Sequence, residues 1–205
     1  TYGLPAKWIP TSQKAAATRA GALVFDPVGV WATVLTEGVR DHDQDLLTSD
    51  QVDLLLENAP PALSNRIVAD AASQAKLLQV CRNLLAEGVS LRDMEAICEA
   101  LLVGGDADQC TERARQALRA SICRDLADAR RNISVSMVAP EADLKAVKTA
   151  VERMQKRGEA PVLCTSAADR LALHKRVAKE FPHLRVISEE ERAPGFHFVP
   201  DKPES

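Results

Sequence analysis

Residues 77–101, LLQVCRNLLAEGVSLRDMEAICEAL, carry two apolar stripes of helical spacing separated by one glycine. Leu77, Leu78, Cys81, Leu84 and Leu85 fall on one face of a first helix. Leu91, Met94, Ile97, Cys98 and Leu101 fall on one face of a second. Gly88 stands where the first helix must stop, because glycine takes the left-handed backbone at a helix C-terminus without a Cβ penalty. Ser90 is the expected N-cap of the second helix, with Asp93 three residues on as a capping-box acid. Two amphipathic helices joined this tightly must pack on each other and on further helices, so a helical bundle is the expected centre of the fold.

The rest of the chain supplies those helices. Aromatic residues make up only 3% of the 205, so the core has to be built from Leu, Val, Ile and Ala. Residues 12–20 read as a short Ala-rich helix and Ala22–Phe25 as a short strand. Asp26-Pro27 opens a helix, with Asp as the cap and Pro at the first position. That helix is expected to run to about Leu47 and to bury Val30, Trp31 and Val34. Thr48 and Gln51 make a capping box for a helix through Leu56, and Asn58-Ala59-Pro60-Pro61 breaks it. A helix near 62–70 leads into the central pair, and one near 109–130 follows the flexible Gly104-Gly105-Asp106 joint.

After Arg131 the pattern changes. Ile133–Val138, Pro161–Cys164 and Leu184–Ile187 read as strands, alternating with helices at 141–157 and 167–181. This β-α-β-α-β order implies a small parallel or mixed sheet with helices packed against it. The fold class is therefore α+β: a mostly helical middle part, a small α/β part and a short strand–helix remnant at the N-terminus. The expected boundaries are 1–47, 48–131, 132–188 and a tail, 189–205, rich in Glu, Pro and Gly.

Composition limits the function classes. A net charge of −3 lacks the basic balance of a general nucleic-acid binder. Cys81, Cys98, Cys110, Cys123 and Cys164 are odd in number and show no CxxC spacing, which signals neither a disulfide framework nor a zinc site. No apolar run approaches the ~18 residues of a membrane span. The chain opens on Thr1 and reads as a piece of something longer. Gly88-Val89-Ser90 after a helix also suits a helix-turn-helix regulator of nucleic acid, the alternative function. Leu84 occupies the position where that motif wants a small residue, and Asp93, Glu95 and Glu99 would face phosphates with only Arg92 to offset them. An enzyme reading would rest on Cys164 with His174 or His183 and Asp169, a nucleophile–base set. No phosphate loop, HExxH or GxSxG accompanies it, so no catalytic residue, metal site or cofactor is expected. Glu37, Asp41, Asp43, Asp45, Asp50, Asp53 and Glu57 surround a lone Arg40 and read as a solvated face or, alternatively, an electrostatic dock.

Three separated segments carry a family resemblance. They are Gly3-Leu4-Pro5-Ala6 with Trp8-Ile9 and the later Trp31-Ala32-Thr33; the helix pair 77–101; and Pro161–Ser166 with Phe181-Pro182-His183-Leu184 and Val186-Ile187-Ser188. In this order they resemble the cytoplasmic domain of the flagellar and type III secretion export-gate proteins, the FlhA/SctV family. The Ala-Thr passage is nearer the flagellar branch. The resemblance implies a docking platform at the cytoplasmic face of the bacterial inner membrane. It would be part of a nine-membered homo-oligomeric ring receiving export chaperone–substrate complexes and other export-apparatus proteins, without cofactor or catalysis. It further implies that Tyr2 and Thr33, with Gly3 and Leu4 beside them, line the chaperone-binding dimple. The sequence departs from the family at Val34, where His is usual. An Arg expected after Thr-Ser-x-x is displaced or replaced by Asp169-Arg170, and the α/β part is short.

Overall fold

The computed structural model describes residues 7–139, 141–182 and 184–201, with the side chains of Glu37, Arg40 and Asp41 left aside. The chain divides into two compact units, 1–43 and 44–205.

In the first unit, α1 (Lys14–Arg19) and α2 (Pro27–Asp41) are the helices. Asp26 caps α2 as its sequence requires, its carboxylate accepting from Gly29 N at 2.7 Å with Pro27 in the first turn. Ala22–Phe25 is not a strand. A strand is defined by a partner, and among the described residues nothing pairs with this run, so β propensity alone does not order it. Helix α2 stops at Asp41 instead of Leu47, and a single turn, α3 (Asp43–Leu46), follows. The break falls in Asp41-His42-Asp43, a run of poor helix formers. Trp31 and Val34, expected in a core, are exposed, and Val30 is half-buried.

The second unit begins with a helical bundle: α4 (Ser49–Leu56), α5 (Pro61–Val68), α6 (Ala71–Ala86), α7 (Met94–Leu102), α8 (Ala107–Ala117) and α9 (Arg119–Leu126). The Thr48–Gln51 capping box forms, with Gln51 Oε1 accepting from Thr48 N at 2.8 Å. Asp106 and Gln109 make a second one ahead of α8. Gly88 ends α6 with φ +61°, and a Cβ there would lie 2.0 Å from the Arg185 guanidinium. Ser90 is not the N-cap of the next helix: α7 starts at Met94, and Asp93 caps it by accepting from Ala96 N at 3.1 Å. Residues 89–93 stay extended or irregular because Val89 and Leu91 are themselves buried, which holds the chain against the bundle for one more turn. The expected helix at 109–130 is broken at Leu118, which is buried together with Ile122 and Cys123 beyond it.

Four parallel strands follow: β1 (Asn132–Met137), β2 (Val162–Thr165), β3 (Arg185–Ser188) and β4 (His197–Pro200), in the order β3-β2-β1-β4. Helices α10 (Leu144–Lys156) and α11 (Ala167–Val177) make the crossovers. Ile133, Val135, Val162, Cys164 and Ile187 join the core of the bundle on one face of the sheet. Leu163 and Val186 face the other way, onto Val147, Val151, Leu173 and Val177 of α10 and α11. The fold is α+β in three layers. Residues 189–200 are not a tail. They form a 3-10 turn at Glu189–Glu191 and then β4, which pairs with β1 from Asn132↔His197 to Val135↔Pro200. Proline is tolerated there because β4 is an edge strand.

The core assignments lead to stability changes that urea denaturation measures. Leu84→Ala and Ile97→Ala, both at fully buried positions, should each cost about 2–5 kcal/mol. Asp93→Ala should cost about 1 kcal/mol as a lost cap, and Ser90→Ala clearly less, since Ser90 Oγ accepts only a 3.4 Å bond from Arg92 N. Equal losses at Ser90 and Asp93 would contradict the observed helix start.

Candidate functional site

Tyr2, Gly3 and Leu4 lie outside the described residues. Thr33 sits on α2, half-buried, with Oγ1 donating to Gly29 O at 2.9 Å. That bond turns the hydroxyl back onto the helix's own backbone. Val28, Trp31, Leu35 and Val39 recur along α2 as one stripe, and all are open to solvent at 77, 66, 63 and 55% exposure. Thr33 is two residues from Trp31, so it lies on the opposite side of the helix. An apolar stripe of this length on an amphipathic helix marks an interaction surface. The sequence placed Trp31 in a core because its helical spacing is that of a buried face, and spacing does not say which partner buries it.

The second unit holds a charged centre that sequence reading missed. Arg115 on α8 and Arg170 on α11 are buried, as are Glu87 at the end of α6 and Glu191 after β3. Arg115 Nε donates to Glu191 Oε1 at 2.7 Å, and its NH1 lies 3.0 Å from Glu87 Oε2. Arg170 donates to both Glu87 oxygens and, through Nε at 2.7 Å, to Glu112 of α8. Arg185 donates to the Glu87 backbone carbonyl. Burial opposes the charge on Glu87, but Arg115 and Arg170 outweigh it and hold the carboxyl below its ordinary pKa. Burial likewise opposes the charge on Arg170, and Glu112 and Glu87 reverse that and raise its pKa. In the sequence Arg170 looked like a displaced family residue. The available signal was its place one turn into a capped helix, after Ser166 accepts from Asp169 N.

Of the groups weighed for catalysis, Cys164 lies in β2 and Asp169 and His174 lie on α11. Burial pushes the Cys164 thiol, within β2, up to about 11, which leaves no thiolate near neutral pH. Asp169 accepts from its own cap residue, Ser166 Oγ, at 2.5 Å. His183 lies outside the described residues. Burial pushes His174 below its ordinary pKa, with Glu87 opposing and Arg170, Arg115 and Lys175 reinforcing the shift. The helix-turn-helix reading gains no support from α7. Helix α7 buries Met94, Ile97, Cys98, Ala100 and Leu101, and the face it leaves exposed carries Glu95 and Glu99, carboxylates that phosphates repel. Among the described residues no group of His, Cys, Asp and Glu is placed to hold a metal, and no helix is long and apolar enough to cross a membrane.

Residues 1–145 match the FHIPEP family. The chain belongs to that family. It is 27% identical over 221 residues to flagellar biosynthesis protein FlhA of Bacillus subtilis (strain 168), covering 92% of this chain and 33% of that protein. It is 37% identical over 128 residues to the putative truncated flagellar export/assembly protein LfhA of Escherichia coli (strain K12), covering 59% of this chain and 22% of that protein. This FHIPEP chain thus spans about a third or less of the length of these relatives. Among solved structures, the Chlamydia pneumoniae CdsV protein superposes with a TM-score of 0.76 at 23% identity, over 97% of this chain and 66% of that one. Nonameric EPEC SctV-C gives a TM-score of 0.69 at 16% identity, over 93% and 67%. At these identities the likeness concerns the fold.

The charged centre of this FHIPEP domain fixes a pH dependence. His174 and Glu87 both have folded-state values below their ordinary ones, so the unfolded chain takes up protons first as pH falls. The stability due to His174 is complete above its unfolded value of about 6.5 and is lost as pH drops through the folded value; that due to Glu87 goes at lower pH still. Thermal melts between pH 8 and 5 should show Tm falling below about pH 6.5, and His174→Gln should flatten that upper segment. Removing one member of the centre by Arg115→Ala should cost about 3–5 kcal/mol, because it leaves buried carboxylates unpaired.

Proposed function

We infer that this chain is the later part of the cytoplasmic region of a flagellar protein export gate, working as a docking platform for export chaperone–substrate complexes and for other export-apparatus proteins. The parent protein would place it at the cytoplasmic face of the inner membrane, in a homo-oligomeric ring like that of nonameric SctV-C. It performs no bond chemistry in this role. Membership of the FHIPEP family and the likeness to FlhA proteins support the export-gate assignment. What supports the docking role is that Thr33 lies on the side of α2 away from the apolar stripe, so covering the stripe with the remainder of the cytoplasmic fold leaves Thr33 reachable.

On this reading α2 serves two neighbours. The side bearing Thr33, together with Tyr2, Gly3 and Leu4, receives the chaperone. The stripe at Val28, Trp31, Leu35 and Val39 packs on the remainder of the cytoplasmic fold. The CdsV chain, which this one matches over 66% of its length, is long enough to include such a remainder.

Calorimetric titration with a cognate export chaperone bound to its substrate tests the docking role. Tyr2→Ala and Thr33→Asp should each weaken binding at least tenfold, about 1.4 kcal/mol, while the melting temperature moves by only a few degrees. Unchanged affinity in both variants, or unfolding of either, would remove these residues from a docking site.

A further inference from the structure

A groove of about 270 Å³ runs between α4 and α6. Val52 and Leu56 form its floor, Ala71, Ala75 and Leu78 its far wall, and Asp53 its rim. It stays open because Ala71 and Ala75, both exposed, carry only a methyl where a larger side chain would close it. The volume suits one large apolar side chain rather than a whole helix face.

Asp50, Asp53 and Glu57 stand at i, i+3 and i+7 on α4, a single stripe beside this groove, and all are exposed. Among the described residues none of these carboxylates is ion-paired. The cations of α6 are committed elsewhere: Lys76 donates to Gly105 O at 2.8 Å and Arg82 to Leu47 O at 2.9 Å. Like charges at this spacing oppose helix formation, and of the three only Asp50, in the first turn of α4, gains anything from its own helix. What they offer is a line of negative potential next to an apolar slot.

We propose that the α4–α6 groove is a docking site for a cationic amphipathic helix of a partner protein. One bulky apolar side chain of that helix fills the slot, and Lys or Arg residues one and two turns away lie on Asp50, Asp53 and Glu57. The apolar anchor gives the residence time and the charges give the approach rate and the orientation.

The test uses the whole 205-residue chain and a fluorescent helical peptide bearing one central Trp with Lys spaced to match the acidic stripe. Fluorescence anisotropy at low salt should show saturable binding that weakens as salt rises. The Asp50→Asn, Asp53→Asn, Glu57→Gln triple variant should weaken it at least tenfold, and so should Ala75→Trp, which fills the slot. Replacing the peptide's Trp by Ala must produce the same loss, and that arm requires no change in the protein. Absence of saturable binding, equal binding of a Glu-for-Lys peptide, or indifference to both the Trp replacement and Ala75→Trp would overturn the site. A free protein that sediments as a dimer dissociated by Ala75→Trp would also overturn it, by giving the groove to a second copy.

Discussion

The open edge of β3 is closed by charges, and the second unit is organised around that closure. Arg185 N donates to Pro161 O, so β3 turns Arg185 and Ile187 toward β2 and points the backbone of Val186 and Ser188 outward. A buried strand edge of this kind needs partners, and among the described residues no fifth strand supplies them. Val186 O instead accepts from Arg115 at 3.1 Å and from Arg170 at 3.5 Å, while Ser188 N donates to Glu191 Oε2 at 3.1 Å. Guanidinium and carboxylate stand in for a neighbouring chain. Charge-assisted bonds are strong enough to do so, and they bring their own requirement that every buried charge be matched.

That requirement ties the layers together. Glu87 comes from the end of α6, Arg115 and Glu112 from α8, Arg170 from α11 and Glu191 from the crossover between β3 and β4. Separating α8 from α6, α11 or the crossover, or α6 from α11, would leave a buried charge unmatched. The crossover is held further where Cys123 Sγ meets Glu191 O at 3.3 Å and Ala193 N at 3.5 Å. It has no helix of its own, yet it carries the chain across to β4 by lying against α8 and α9. Gly88 belongs to the same arrangement, since only a residue without a Cβ leaves room for the Arg185 guanidinium that donates to Glu87 O.

Much of this architecture was legible in the sequence because local chemistry and packing agree there. The stop at Gly88, the Thr48–Gln51 box, the apolar faces of α6 and α7 and the alternation of strands and helices after Arg131 all appear where their patterns lie. The early stop of α2 at Asp41 is local, but most other misses depended on a partner distant in sequence. Ala22–Phe25 has strand residues and no strand to pair with. Trp31 has core spacing and no core over it. Asp93 displaced Ser90 as a cap because Leu91 is buried before the helix starts. His197–Pro200 looked like a tail because its partner, β1, is some sixty residues upstream. Arg170 looked misplaced because its carboxylates come from α6 and α8. For the candidate site, Thr33 had a role only through a family likeness, and three of its four residues fall outside the described part.

The two units differ in how completely they bury what they carry. In 44–205 the polar edge is satisfied, the five cysteines are buried within their layers, and most large apolar side chains close on one another, with scattered exceptions such as Leu54 and Val103. In 1–43 the apolar side chains at Leu23, Phe25, Val28, Trp31 and Leu35 face solvent, as does Trp8. Burial of apolar surface is the main favourable term in folding, so a unit that leaves this much uncovered gains correspondingly little from a core of its own. On the proposed reading the division is physically apt. A surface gains affinity when little ordering has to accompany binding, and on that reading the ordering falls on one short unit, 1–43.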